Sequence, residues 1–170
     1  MAKLVNLQIN QLPEAKIIGK VIYLKMDMKE NPIPEFWKKC FEDGTFTKLE
    51  ELKEYHIDSS YVGWMGDFGI DNGKFTYICG MLMKLGAPVP EGFIYKDIPS
   101  SKVAIGWIQG MEKDVYPVSH EFTQKAMEEK GYRLDESASW CMELYNCPRF
   151  TTPMDNGEII LDYYIPCETV

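Results

Sequence analysis

Apolar and polar positions alternate along the start of the chain and then change period. Residues 5–8 and 15–25 are rich in Val, Ile and Tyr with Pro13 between them, which predicts two strands separated by a turn. After Pro34, the run Glu35-Phe36-Trp37-Lys38-Lys39-Cys40-Phe41 puts apolar side chains at i, i+1, i+4 and i+5. That is helical spacing, and proline fits the first turn of such a helix. Gly44 marks its end, and residues 47–53 predict a short second helix with Leu49 and Leu52 on one face. Strands are predicted again over 61–68 and 74–84, joined through Asp71-Asn72-Gly73, where Asn-Gly favours the positive φ angles of a hairpin. The order so far is β-α-β-β.

The same order returns in the second half. Residues 101–110 predict a strand, and 117–131 a helix with Phe122, Ala126 and Met127 on one side and Glu121, Gln124, Lys125, Glu128 and Glu129 on the other. Residues 137–145 and 158–166 predict two closing strands. Asp155-Asn156-Gly157 stands 84 positions after Asp71-Asn72-Gly73 (155 − 71 = 84), and Lys102-Val103-Ala104-Ile105-Gly106-Trp107 stands at the same offset from Ile18-Gly19-Lys20-Val21-Ile22-Tyr23. Trp64-Met65-Gly66-Asp67 and Trp140-Cys141-Met142-Glu143 add a Trp followed three residues later by an acid in each half. The pattern predicts an internal duplication. The expected architecture is α+β: a tandem β-α-β-β pseudo-repeat over about 14–84 and 100–167, within one domain of 1–170. An antiparallel sheet would carry both helical segments on one face, leave the other face to bind, and hold a central ligand pocket where the halves meet. The connector Gly86-Ala87-Pro88-Val89-Pro90-Glu91-Gly92 is too short to separate independent domains.

Charge narrows the partners. Lys and Arg total 18 against 26 acids, for a formal charge of −8. Such a field repels phosphate backbones and anionic lipid, so no direct nucleic-acid binding and no membrane association are expected. It suits cations, and equally suits ordinary solubility. No apolar stretch approaches the 18 or so residues of a membrane helix, and the first residues lack an export pattern. Five scattered cysteines, none in a Cys-x-x-Cys pair, fit reduced thiols, so a cytoplasmic location is expected. Cys141, Cys147 and His120 lack metal-ligand spacing, and no metal or other cofactor is expected.

The chemistry centres on Glu143. In the predicted strand, Cys141, Glu143 and Tyr145 point one way, and the apolar trio Trp140, Met142 and Leu144 points the other way, toward the helices. Asp162 and Tyr164 repeat the acid-then-tyrosine pattern opposite Leu161, Tyr163 and Ile165, so neighbouring strands would gather acids and phenols on one face. An exposed strand glutamate would need no explanation. A carboxylate within aromatic walls, in contrast, suits an organic cation, because ring faces are negative and the acid supplies charge. Trp64, Tyr77 and Trp107 lie on strands the duplication places around the cleft, while Trp37, Phe36 and Phe41 on the first helix are expected in the core. Glycine-rich phosphate loops, nucleophile elbows and His-Glu-x-x-His motifs are all missing, which disfavours phosphoryl transfer and triad hydrolysis. What stays open is carboxylate chemistry, with Glu143 as a general base.

Val89-Pro90-Glu91-Gly92-Phe93, Ile98-Pro99-Ser100-Ser101-Lys102-Val103-Ala104, Trp140-Cys141-Met142-Glu143-Leu144-Tyr145 and Leu161-Asp162-Tyr163-Tyr164-Ile165-Pro166 together resemble the GyrI-like small-molecule-binding family. That family includes the effector-binding domains of AraC-type and MerR-type multidrug regulators. The resemblance runs from about Lys16 to Pro166. It implies a pocket for apolar, often cationic compounds, in which a glutamate matching Glu143 engages the ligand and Trp64, Tyr77, Trp107, Tyr145 and Tyr164 form the walls. It also implies a stand-alone module, since 170 residues leave no room for a DNA-binding domain. The leading expectation is a binder or sequesterer of hydrophobic compounds and xenobiotics rather than an enzyme. The alternatives are a hydrolase of cyclopropane-containing xenobiotics working in the same pocket, and a gyrase-inhibitor-like module with a regulator or gyrase as protein partner.

Overall fold

The computed structural model describes the backbone of residues 1–170 and every side chain except those of Ile70 and Asp71. Nine strands run β1 (Lys3–Leu12), β2 (Ala15–Lys25), β3 (Tyr61–Asp71), β4 (Lys74–Met83), β5 (Ile94–Ile98), β6 (Ser101–Gly110), β7 (Tyr132–Leu134), β8 (Trp140–Tyr145) and β9 (Ile159–Thr169). Helices α1 (Ile33–Glu42) and α2 (Thr45–Glu50) follow β2, and α3 (Glu112–Val115) and α4 (Ser119–Glu129) follow β6. The fold is α+β and mostly antiparallel, with β-α-β-β occurring twice. Two compact units form, one from Glu14–Pro99 and one from Met1–Pro13 together with Ser100–Val170.

In the unit of residues 14–99 the strand order is β5-β2-β4-β3, antiparallel throughout. Asn72 and Gly73 both take positive φ, 49° and 76°, the geometry of the type I′ turn that Asn-Gly favours between twisted strands. Pro34 occupies the first turn of α1 and Asn31 Oδ1 accepts the Ile33 N–H at 3.1 Å. Gly44, at φ 81°, separates α1 from α2 where an L side chain would be strained. These helices bury Cys40, Phe46 and Leu49 against Ile18, Cys79, Met81 and Met83 of the sheet. Each such side chain contributes roughly 1.5–3 kcal/mol on leaving water. Trp37 stacks on Phe46 at 5.5 Å, but Phe41, expected in the core, keeps 57% of its surface exposed at the helix edge.

Gly19 and Gly80 face each other across β2 and β4, and a Cβ on either would stand 2.1 Å from partner backbone oxygen. Backbone cannot yield as a flexible side chain does. Gly80→Ala is therefore expected to cost about 3 kcal/mol, read as a fall in the urea midpoint with an unchanged slope. A loss under 0.5 kcal/mol would show that the strands separate freely there.

In the other unit the order is β1-β6-β9-β8, and β7 pairs with the far end of β9. The strand preceding each repeat thus pairs with the opposite repeat's first strand: β1 with β6, and β5 with β2. α3 and α4 lie over Ile108, Ile159 and Leu161 through Val115, Val118 and Phe122. Gly106 lets α4 sit close, since a Cβ there would meet Thr123 Oγ1 at 2.2 Å.

The structure departs from expectation in three places. β5 and β7 were not anticipated. β8 begins at Trp140 rather than 137, because Asp135 Oδ1 accepts both the backbone N–H and the hydroxyl of Ser137 and Ser139 turns to φ 51°. The sheet face away from the helices is also not left open over β4, where Ile78 and Leu82 are as buried as Cys79 and Met81.

Candidate functional site

Register decides which residues meet. Along β8 the side chains alternate, and Glu143 lies directly opposite Tyr163 of β9, which in turn lies opposite Gly106 of β6. Gly106 is the position under α4, so Glu143 and Tyr163 are on the helix-bearing face. Asp162 lies opposite Leu144 and Trp107, and Tyr164 lies opposite Met142 and Ile105. The expected single cluster of Glu143, Tyr145, Asp162 and Tyr164 is therefore split across the two faces. The trio Trp140, Met142 and Leu144 faces away from the helices, the reverse of the expectation.

Around Glu143 a compact polar group forms. Tyr145 donates its phenol proton to Glu143 Oε2 at 3.1 Å, and its ring packs on Phe150 at 4.8 Å. Tyr163, also buried, donates to Cys141 Sγ at 3.2 Å. His120 of α4 places Nδ1 3.1 Å from the same phenol oxygen, its ring edge-on to the tyrosine. With the phenol proton directed at sulfur, its oxygen accepts from the imidazole Nδ1–H, and burial pushes the His120 pKa down, toward the neutral ring. From sequence His120 stands only with Cys141 and Cys147 as a candidate metal ligand, and Tyr163 only as part of an apolar set, because it takes the cross-strand register to set Tyr163, with His120 on its phenol, opposite Glu143.

Burial dominates the electrostatics. It pushes the Glu143 carboxyl up to about 7 even though the Tyr145 hydrogen bond favours the ionised form. A small edge of Glu143 still meets solvent, while protein atoms surround the carboxyl on most sides. Burial also lifts the Cys141 thiol to about 11 and raises the Tyr163 phenol. Among the described residues no Lys, Arg or His lies within ion-pair distance of Glu143.

Asp162 provides the contrast. Only 3% exposed, it accepts from Arg149 Nε at 3.1 Å and from Nη2 at 2.6 Å, and the guanidinium sits 4.1 Å above the Trp107 ring. An acid and an aromatic face thus hold a cation there, and the cation is the chain's own.

The remaining expected wall residues are dispersed. Tyr77 lies on the helix-bearing face of its unit and accepts the Trp37 Nε1–H at 2.7 Å. Trp64 lies on the other face of that unit, 4% exposed, with its indole N–H making no hydrogen bond. Tyr164 is half-buried. Among the described residues no three His, Cys, Asp or Glu side chains converge as metal ligands would, and no helix is long and apolar enough to cross a membrane.

A β-α-β-β duplication on an antiparallel sheet is the fold this chain shares with effector-binding domains. The chain belongs to the family of integron-associated effector binding proteins, Cass2, which matches residues 8–167. The transcriptional regulator BrlR of Pseudomonas aeruginosa is 30% identical over 95 residues, covering 56% of this chain and 34% of that protein, so the match spans about a third of the regulator's length. The structure of SAV2435 bound to tetraphenylphosphonium superposes with a TM-score of 0.66 at 14% identity, covering 96% of this chain and 94% of that one. The integron cassette protein VCH_CASS2 of Vibrio cholerae gives 0.58 at 13% identity, covering 98% and 99%.

Proposed function

We propose that the chain is a receptor for apolar organic cations and that Glu143 is the charged contact. The observation that carries this reading is an acid desolvated enough to titrate near neutrality, with a phenol beside it and no cation. A buried carboxylate without a countercharge costs several kcal/mol, so selection retains it where a ligand supplies that charge. Asp162 shows the settled alternative within the same unit, an acid already satisfied by Arg149. Tetraphenylphosphonium bound to SAV2435, which shares the fold, is a cation of this chemistry. The aromatic wall for the ligand is assigned to Tyr145, beside the carboxyl on the same face, whereas Trp107 and Tyr164 lie on the opposite face of the sheet.

Calorimetric titration tests the reading. Tetraphenylphosphonium is expected to bind at least tenfold more tightly than neutral triphenylphosphine oxide, which matches its rings without the charge. Equal affinities would remove the carboxylate from the account. A second reading rests on the same pKa: a carboxyl near 7 is matched to general-base work at neutral pH, which suits hydrolysis of a strained electrophile. Turnover of a cyclopropane-containing compound that vanishes in Glu143→Gln would select it.

A further inference from the structure

Tyr163 gives its phenol proton to a weak acceptor while a strong one faces it. It stands directly opposite Glu143 across β8 and β9, close enough that the carboxylate's field adds to burial in raising the phenol pKa. A carboxylate binds a hydroxyl proton far more strongly than a thiol sulfur does. Yet the Tyr163 hydroxyl donates to Cys141 Sγ at 3.2 Å, and among the described residues the one hydrogen bond to Glu143 comes from Tyr145, at Oε2.

What holds the phenol off the acid comes from α4. His120 Nδ1 lies 3.1 Å from the phenol oxygen, with the imidazole edge-on to the tyrosine ring at 5.6 Å and 89°. An imidazole N–H engaging the phenol oxygen from that side turns the hydroxyl proton toward Cys141. Burial favours the neutral imidazole, and a hydrogen bond with Gln124, one turn further along α4, favours the charged one. Nδ1 carries its proton in this neutral tautomer and in the imidazolium alike, so the hold outlasts the imidazole's own titration.

The close approach of α4 carries a cost. Gly106 lies opposite Tyr163 on β6, and a Cβ there would meet Thr123 Oγ1. Thr123 is one turn from His120 and fully buried, and its hydroxyl finds no hydrogen-bond partner among the described residues. A glycine below and an unsatisfied hydroxyl above let α4 approach until the imidazole reaches the phenol. The titratable groups facing Glu143 are then Cys141 and Tyr145 from β8, Tyr163 from β9 and, behind that phenol, His120 from α4.

We propose that His120 is a positioning residue of the Glu143 site: it holds the Tyr163 hydroxyl on Cys141, and so leaves the carboxyl with one phenol donor and one oxygen open to a ligand's charge. Two phenols on one carboxylate would satisfy it internally, as Arg149 satisfies Asp162. In this role His120 acts through Tyr163 and needs no contact with the ligand. Its bearing on cation binding rests on the receptor reading above, whereas its hold on Tyr163 does not.

The test is the carboxyl titration of Glu143 in the ligand-free protein, followed by NMR on glutamate labelled with carbon-13 at the carboxyl and assigned as the resonance that Glu143→Gln lacks. The native midpoint is expected at about 7. His120 keeps part of its ring at the surface, so substitution there leaves the fold intact, checked by circular dichroism. In His120→Phe the phenol is released to the acid, and the midpoint is expected to fall by about one unit. His120→Asn, whose amide N–H stands in for the Nδ1–H, and Tyr163→Phe are each expected to keep the native midpoint, and the double variant His120→Phe, Tyr163→Phe to return to it. An unmoved midpoint in His120→Phe, a fall of the same size in His120→Asn, or a fall that persists in the double variant would each overturn the inference. His120→Phe is also expected to weaken tetraphenylphosphonium about threefold to tenfold at pH 8, with affinity regained in the double variant. Because the titration is read without ligand, a shifted midpoint alongside cation binding indifferent to Glu143→Gln would sink the receptor and leave the positioning role standing.

Discussion

Glu143→Gln is expected to lower the affinity for tetraphenylphosphonium by about a hundredfold at pH 8, with almost no loss at pH 5. Glutamine keeps the shape and an acceptor for Tyr145 but removes the charge, and a desolvated charge contact is worth about 2–3 kcal/mol. The pH dependence comes from the carboxyl's own titration. With its pKa near 7, the ionised fraction rises from about a tenth at pH 6 to about nine tenths at pH 8, so affinity in the native protein should climb about tenfold across that interval. Burial pushes Cys141 up to about 11 and raises Tyr163, so both stay protonated through this window, and it favours the neutral form of His120. Binding should release a proton near neutrality, measurable as a buffer-dependent enthalpy. A flat affinity between pH 6 and 8, retained in Glu143→Gln, would end the receptor reading.

The same group makes a stability statement of opposite sense. Its pKa is raised in the folded state, so the stability it contributes is fully present below about 4.5 and is lost as pH rises through 7. At pH 8 and without ligand, Glu143→Gln should therefore be the more stable protein, by on the order of 2 kcal/mol. That is less than the whole shift implies, because one edge of the side chain meets water. A variant that binds worse yet folds better is the signature of a site held in readiness for its ligand.

Arg149→Met is expected to be among the most damaging single substitutions, costing about 3–5 kcal/mol. The reason is what it leaves behind. Asp162 is almost fully enclosed, and the substitution removes the guanidinium that gives it a countercharge and two hydrogen bonds. The double variant Arg149→Met, Asp162→Leu should recover most of the loss, since matched apolar groups often replace a buried ion pair at little cost. Urea unfolding followed by tryptophan fluorescence reads both. If the single substitution costs under 1 kcal/mol, the pair is a surface decoration and its contrast with Glu143 means nothing.

Local pattern carried a good deal of this molecule. The Asn72-Gly73 turn, the proline-started helix over Trp37 and Cys40, and the repeat marked by Trp64 and Trp140 are short-range signals, fixed by backbone sterics and by 3.6- or 2-residue periods. Alternation along β8 was readable too: Glu143 and Tyr145 do share a face. What could not be read was how β8 lies against β9, because a slip of one residue exchanges every partner. Opposite Glu143 the structure sets Tyr163 and not Asp162 or Tyr164, so His120 meets the phenol across from the acid while Arg149 takes Asp162. β5 and β7 escaped because they are short and of mixed polarity, Ile94-Tyr95-Lys96-Asp97-Ile98 and Tyr132-Arg133-Leu134. The left-handed backbone at Asp67, where the β3–β4 pairing breaks register, depends on tertiary context and leaves no mark in composition.

The exchange of leading strands bears on how this protein can be cut. A fragment of residues 14–99 keeps β2, β3, β4 and β5 together, whereas one of residues 100–170 loses β1 and bares the whole hydrogen-bonding edge of β6. Exposed edges of that length invite strand addition from other chains. Gene dissection along the duplication would thus leave the second piece prone to precipitate unless residues 1–13 travel with it, since they carry the strand that covers β6.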